Sequence, residues 1–255
     1  MHSRGRLSLF HNGLLLVVSM LALLGGAVGG WQQTKRAPAA VKPVQQQAPA
    51  TKPVAPIAPQ PADQIDRLTS EPYTGSLSIF EDPKRDEKLQ INRVMDILRI
   101  KEGSHVADIG AGSGWFTVRA ARRVGERGAV FAVEINDEYV KHIAERAAKE
   151  QLPNIRTVLG KEDDPLLPAG QLDAILLLKT YHEIAEPIRL LRNARQSLRE
   201  GALLGIIDRN GEGGDHGLDR DKVVREAGRA GFTLVEEHDF VKPDGMDYFL
   251  VFQAK

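Results

Sequence analysis

The chain has 255 residues, of which 42% are hydrophobic and 27% charged, and its formal net charge is zero. It is too long for a mini-protein and too apolar to remain unfolded as a whole. Six of the 34 basic side chains and none of the 34 acidic ones lie in residues 1–62, so the remainder is acidic. An acidic folded part lacks the positive surface that neutralises phosphates, and we expect no nucleic-acid partner. The absence of cysteine excludes disulfides, thiolate metal sites and cysteine nucleophiles.

Residues 1–31 have the features of a targeting or anchoring segment. Arg4 and Arg6 precede an apolar run over residues 14–28, which as a helix would span roughly 22 Å, short of a ~30 Å hydrocarbon core. Two interpretations stay open: an N-terminal membrane anchor that extends to Trp31, or a secretory signal peptide cleaved near residues 27–29. We therefore expect a protein associated with the membrane through one N-terminal segment, or exported after cleavage. Basic residues flank the run on both sides, so the sequence does not predict the side of the membrane.

Residues 32–70 form a segment rich in proline, alanine and glutamine. Residues 37–62 alone contain seven of the chain's fourteen prolines. Such a composition removes backbone hydrogen-bond donors and cannot bury a core, so it predicts a disordered linker. The folded domain is then expected over residues 71–255.

Within residues 71–255 the apolar periodicity alternates between helix and strand. Five strands, each followed by a helix, predict a parallel sheet with helices on both faces. The last two strands are too close together for a helix between them and must form an antiparallel hairpin. The fold class is α/β: a doubly wound, mostly parallel seven-stranded sheet with a C-terminal antiparallel hairpin strand. Predicted strands cover residues 105–109, 129–135, 155–159, 172–178, 201–208, 232–240 and 247–252, and predicted helices cover residues 89–100, 115–123, 137–151, 187–199 and 219–230.

The first two strands end in residues typical of a nucleoside site. Asp108 leads into a glycine turn with Gly110, Ala111 and Gly112, where a backbone free of Cβ atoms can approach a ligand closely. Glu134 ends the second strand, where a carboxylate can accept both hydroxyls of a ribose. The alternative is a tight turn with nothing bound, followed by a solvated acid. Together, the turn and the acid favour a nucleoside-containing ligand.

Polar residues also follow the third and fourth strands. Glu162 and Asp163 could accept from an adenine amine or simply be solvated. Lys179 begins a polar set that includes Tyr181 and His182. We predict that His182 and Tyr181 orient or deprotonate a substrate, against the alternative of a histidine that only caps the next helix. No H-x-x-x-H or H-E-x-x-H spacing occurs, so the sequence predicts no metal site.

In this order and spacing, the motifs VADIGAGSGWFT, AVEIN, LDAILLLKTYHEI and LREGALLGIID resemble those of class I S-adenosylmethionine-dependent methyltransferases. The similarity is to the small-molecule branch that includes quinone-biosynthesis and arsenite methyltransferases, and it implies the Rossmann-like methyltransferase fold with S-adenosylmethionine as cofactor. The resemblance implies that Asp108 and the backbone of residues 110–112 hold the methionine part of the cofactor. Glu134 would bind the ribose, Ile135 would pack on the adenine, and Glu162 and Asp163 would meet the adenine edge. Lys179 is also expected in the cofactor site, although relatives often carry an apolar or acidic residue there. Lys161 departs from the family pattern, because many relatives carry an acid there.

Three functions follow as hypotheses. The first is methyl transfer to a small-molecule or lipid-soluble acceptor. The second is a non-catalytic module that binds S-adenosylmethionine or another nucleoside and is tethered to the membrane. The third, an NAD-dependent oxidoreductase, is disfavoured because Trp115 replaces the last glycine of the dinucleotide fingerprint. The methyl acceptor and the oligomeric state are not predicted.

Overall fold

A computed structural model describes residues 55–60, 63–242 and 245–255. These residues belong to one compact unit. The predicted signal peptide or anchor, residues 1–31, lies outside the described residues. Among the residues that are described, no helix combines the length and the apolar character needed to cross a membrane.

Seven strands of the described chain form one sheet, in the order β3-β2-β1-β4-β5-β7-β6. The contacts from β3 through to β5 are parallel, whereas β7 pairs antiparallel with both β5 and β6. This arrangement confirms the predicted fold class. The strands are β1 His105–Ile109, β2 Ala129–Glu134, β3 Ile155–Leu159, β4 Leu172–Leu178, β5 Leu198–Arg209, β6 Phe232–His238 and β7 Asp247–Ala254.

The helices are α1 Arg85–Leu89, α2 Ile91–Ile97, α3 Trp115–Val124, α4 Asp137–Lys149, α5 Pro187–Arg195 and α6 Arg220–Arg229. The single helix predicted over residues 89–100 is two helices, because Gln90 adopts a left-handed conformation with φ 46°. Helix α5 ends earlier than predicted, since β5 already begins at Leu198. The expectation that a helix follows each of the first five strands is wrong: residues 160–171, all described, cross from β3 to β4 without one.

Side chains on the two faces of the sheet pack into separate cores. In β1, Val106 joins a core with α1, α2 and α3, whereas Ala107 and Ile109 join the core on the opposite face with α5 and α6. The alternation follows from the two-residue period of a strand. Because both faces are covered, the strands read as almost continuous apolar runs, as is typical of parallel sheets. Helices cover both faces of the sheet, so a ligand can reach the central strands at their carboxyl ends.

Part of the predicted linker lies against the domain. The backbone N–H of Ile57 donates to Asn193 Oδ1 at 3.1 Å, and Arg67 forms a buried ion pair with Glu226 at 2.7 Å. Ser70 is buried, and its hydroxyl donates to the carbonyl of Gly213 at 2.7 Å. The expectation of a disordered linker up to residue 70 therefore does not hold for residues 57–60 and 63–70. The composition argument fails there because this segment finds its partners on the domain: Ile57 on α5, Arg67 on α6 and Ser70 in the loop after β5.

Candidate active site

A cavity of about 950 Å³ opens at the carboxyl ends of β1, β2 and β4. Strand β1 has β2 on one side and β4 on the other, so the chain reverses its winding direction there. In open α/β sheets this switch point is where ligands bind. The predicted residues that line the cavity are Asp108, Gly110, Ala111, Gly112, Glu134, Ile135, Glu162, Lys179 and His182. Asp163 and Tyr181 are not among the lining residues.

The glycine turn after β1 requires its glycines. Gly110 has φ 73°, and a Cβ there would lie 2.3 Å from Thr180 Oγ1, so both backbone conformation and space exclude other residues. Gly112 has φ 56°, and its N–H donates to Glu134 Oε1 at 2.6 Å. This hydrogen bond ties the turn to the end of β2. The turn thus presents bare backbone to the cavity, as the sequence predicts.

Asp108 is a buried carboxylate at the base of the cavity, with 1% of its surface exposed. Burial raises its pKa to about 7, and the nearby Glu134 adds to this rise, although the Thr117 hydroxyl donates to Asp108 at 2.6 Å. A second, positively charged group is close: the guanidinium of Arg85 lies 4.5 Å from the ring centroid of Trp115 and donates to the carbonyl of Phe80. A buried carboxylate and a guanidinium on one wall suit a zwitterionic amino acid, which carries an ammonium and a carboxylate.

Glu134 faces the cavity and is 9% exposed. Its Oε1 accepts from Gly112, and its Oε2 accepts from the N–H of Ile135 at 3.1 Å. These bonds fix the carboxylate, and the lone pairs that they leave can accept from two adjacent hydroxyls. Burial raises the pKa of Glu134 above its usual value. The predicted ribose contact is therefore compatible with the observed geometry.

Two large apolar side chains near Glu134 are exposed to solvent. Ile135 is 45% exposed and Leu159 50% exposed, and both line the cavity. They form a surface on which a planar base can pack, with Glu162 on the same wall. Asp163 instead forms an ion pair with Arg189 at 2.8 Å. The predicted adenine contact of Asp163 is thus not supported, since its carboxylate is turned toward α5.

Lys179 lines the cavity, but its ammonium group is engaged in an ion pair. The Nζ pairs with Asp247 on β7, whose side chain is fully buried. Burial lowers the pKa of Lys179 despite this partner. The residue has φ 59°, so β4 ends in a left-handed kink that directs the side chain toward β7. Its predicted cofactor contact is therefore restricted to its backbone and aliphatic stem.

Tyr181 and His182 follow the kink and point in different directions. The Tyr181 hydroxyl donates to Glu226 Oε2 at 3.0 Å in the core, and burial raises its pKa well above its usual value. The structure therefore corrects the predicted catalytic role of Tyr181, because its hydroxyl lies in the core and not in the cavity. His182 lines the cavity, and its Nδ1 lies 2.9 Å from Asp208 Oδ1 at the end of β5. A carboxylate there accepts a hydrogen bond from Nδ1–H, and in the neutral ring this tautomer leaves the lone pair on Nε2.

The segment before α1 covers the cavity. Tyr73 and Phe80 pack edge to face with ring centroids 5.4 Å apart, and both line the cavity. Tyr139 of α4 donates to the carbonyl of Gly75 at 2.9 Å and fixes this segment to the domain. Sequence reasoning placed residues 73–85 over the site only by their order in the chain, and it did not identify Thr117, Asp208 or His216 as site residues. Asp208 could have been found from its position near the end of β5, whereas the others reach the site through tertiary packing.

Comparison with known proteins agrees with this geometry. Residues 106–201 match the family model described as "Methyltransferase domain". Nocamycin O-methyltransferase of Saccharothrix syringae is 34% identical over 83 residues, which are 32% of this chain and 30% of that protein. Demethylmenaquinone methyltransferase of Listeria monocytogenes is 21% identical over 114 residues, which are 45% of this chain and 48% of that protein. The chain thus spans half or less of the length of these curated relatives.

A solved structure shows the same fold. The crystal structure of a SAM-dependent methyltransferase from Aquifex aeolicus has a TM-score of 0.64 at 24% identity and covers 70% of this chain and 97% of its own. The matched residues 106–201 contain the glycine turn, Glu134 and His182. Residues 106–201 therefore resemble a methyltransferase domain, and the fold is that of an S-adenosylmethionine-dependent methyltransferase.

Proposed function

We propose that this chain transfers a methyl group from S-adenosylmethionine to a small-molecule or lipid-soluble acceptor. One observation carries the proposal: the wall formed by Asp108, the glycine turn and Glu134 faces the same cavity as His182 and Glu183. A cofactor on the first wall and an acceptor at the second would share one enclosed space. The volume of about 950 Å³ lies at the upper end of the range for small-molecule sites.

The residues of the first wall fit the cofactor. Asp108 and Arg85 would bind the ammonium and carboxylate of its methionine part, and Glu134 would accept from its ribose hydroxyls. When bound, the cofactor supplies a methyl group on a positively charged sulfur. The protein's part in such a displacement is to align the acceptor and exclude water, and alignment alone can contribute ~7–11 kcal/mol.

The second wall fits an acceptor that is apolar with one polar end. Ile184 and Leu190 line the same cavity as His182 and Glu183. His182 would position the polar group that receives the methyl, because Asp208 holds the ring in place. The relatives named for nocamycin and demethylmenaquinone support a small-molecule acceptor.

The test is a methyl-transfer assay with labelled cofactor over a panel of phenols, quinols and carboxylic acids. His182→Gln should lower turnover at least about tenfold while calorimetry shows unchanged cofactor affinity. The exposed His142 provides a matched control, and His142→Gln should leave turnover intact. Cofactor binding without transfer to any acceptor would favour a binding module instead. Turnover unchanged in His182→Gln would refute the role of this residue.

We further propose that residues 1–31 attach this domain to a membrane. The apolar run between residues 14 and 28, and the basic residues before it, support this proposal. Alkaline extraction of membranes from cells that express the full chain tests it. Retention in the membrane pellet is expected for an anchor, whereas release of a shortened chain would indicate signal cleavage. Protease treatment of spheroplasts would report the side on which the domain lies.

A further inference from the structure

Three side chains with metal-ligating atoms meet on the acceptor side of the cavity. They are His182 and Glu183, from the turn after β4, and His216, from the loop after β5. One ligand atom from each lies within 4.8 Å of the other two. The two imidazole rings stand edge to face with centroids 5.9 Å apart. All three residues line the same cavity.

His182 already has the second partner that metal-binding histidines usually have. Its Nδ1 lies 2.9 and 3.0 Å from the two oxygens of Asp208, a carboxylate with no exposed surface. Metal-ligating histidines almost always donate their other ring N–H to a carboxylate, a carbonyl or a water, which fixes the ring and raises its basicity. The Nε2 atom lies 3.8 Å from Glu183 Oε1, too far for a hydrogen bond.

Glu183 and His216 are held in place by the segment that covers the cavity. Glu183 accepts a hydrogen bond from the backbone of Tyr73, and its side chain is 19% exposed. The backbone N–H of His216 donates to Ser70 Oγ at 3.0 Å, so the loop that carries this imidazole is tied to the segment before α1.

We propose that His182, Glu183 and His216 bind one divalent transition-metal ion, with its open positions facing the cavity. Two imidazoles and one carboxylate suit Zn²⁺, Fe²⁺ or Mn²⁺ better than Mg²⁺ or Ca²⁺, which prefer all-oxygen ligands. Bond lengths of about 2.0–2.2 Å would bring the ligand atoms closer together than they are here. The proposal requires the exposed His216 side chain to move toward the other two ligands.

The role of this ion rests on the proposed function. An acceptor hydroxyl bound at an open position would ionise more readily, because a divalent cation stabilises the oxyanion. The acceptor proton passes to water. The oxygen then forms a bond to the methyl carbon as the carbon–sulfur bond breaks, and sulfur keeps the electron pair. His182 would thus act as a metal ligand in this reaction, and no residue has to serve as the base.

Metal binding to the full chain, purified without a histidine tag, tests the proposal. Zn²⁺ is titrated by calorimetry, and Co²⁺ by its visible absorption, which reports nitrogen ligands and coordination geometry. The absence of cysteine removes competing thiolates. His216→Asn is suited to the left-handed backbone at this position, φ 57°, and Glu183→Gln keeps the side-chain shape. Each should weaken Zn²⁺ binding at least about tenfold, whereas His142→Ala should not.

One Zn²⁺ per chain, lost in both site variants and retained in His142→Ala, supports the site. No binding at micromolar Zn²⁺, or binding that survives both site substitutions, overturns it. S-adenosylmethionine affinity is measured in parallel on the same samples. Cofactor binding without metal binding would refute the metal site alone, whereas metal binding without cofactor binding would refute the proposed function and leave the metal site supported.

Discussion

The ionisation of Asp108 should control the affinity for S-adenosylmethionine. The side chain is buried, and burial raises its pKa from 3.8 to about 7. A rise of this size corresponds to about 4 kcal/mol in favour of the neutral carboxyl. A cofactor that carries an ammonium and a sulfonium binds the ionised carboxylate better, so its binding should pull the proton off.

The size of the pH effect on cofactor affinity follows from the fraction of protein in which Asp108 is ionised. With a pKa of about 7, roughly one carboxyl in eleven is ionised at pH 6 and ten in eleven at pH 8, and apparent affinity scales with this fraction. Affinity should therefore increase about tenfold from pH 6 to pH 8. At pH 7, binding should release about half a proton.

Calorimetry at pH 6, 7 and 8, in buffers of different ionisation enthalpy, measures both quantities. Asp108→Asn should bind weakly at every pH without this increase, and comparison with it cancels the titration of the ligand's own amino group. Because burial also raises the pKa of Glu183 to about 7, Glu183→Gln is the control and should keep the full pH dependence. An affinity constant within twofold from pH 6 to pH 8, or a pH profile retained in Asp108→Asn, would refute the assignment.

Three further changes test the site and the fold around it. Glu134→Gln should weaken cofactor binding about 10- to 100-fold in calorimetry, because it removes a charged acceptor from the ribose hydroxyls; a change below threefold would contradict that contact. Gly110→Ala should lower the free energy of unfolding by about 2 kcal/mol or more in urea, since its Cβ would overlap Thr180 at 2.3 Å. Gly103 also has a positive φ, but a Cβ added there would have no atom within 4 Å. An equal loss of stability in Gly103→Ala would therefore attribute the effect to backbone strain alone. Tyr181→Phe should cost about 1 kcal/mol of stability and leave kcat unchanged, and a large fall in kcat at unchanged stability would restore it to the catalytic residues.

The sequence predicted the sheet well because local patterns define its strands. Strands β1, β3 and β4 begin and end at the predicted residues, since each is a short segment with apolar residues, bounded by turn residues or charges. Gln90 is different: its left-handed conformation splits a helix that the apolar periodicity predicted as continuous. Glutamine has no preference for that conformation, and the break lies between two buried residues, Leu89 and Ile91.

For the site, the sequence determined the glycine turn and Glu134, because parallel strands bring their carboxyl ends to one edge and both motifs stand at such ends. Tertiary structure decided the direction of each neighbouring side chain: Tyr181 enters the core, whereas His182 turns to the cavity. It also brought His216 to His182 and Glu183, because the loops that carry them follow the neighbouring strands β4 and β5. The local pattern of residues determines turns and strand ends. Which loops meet depends instead on the order in which the strands pair in the sheet.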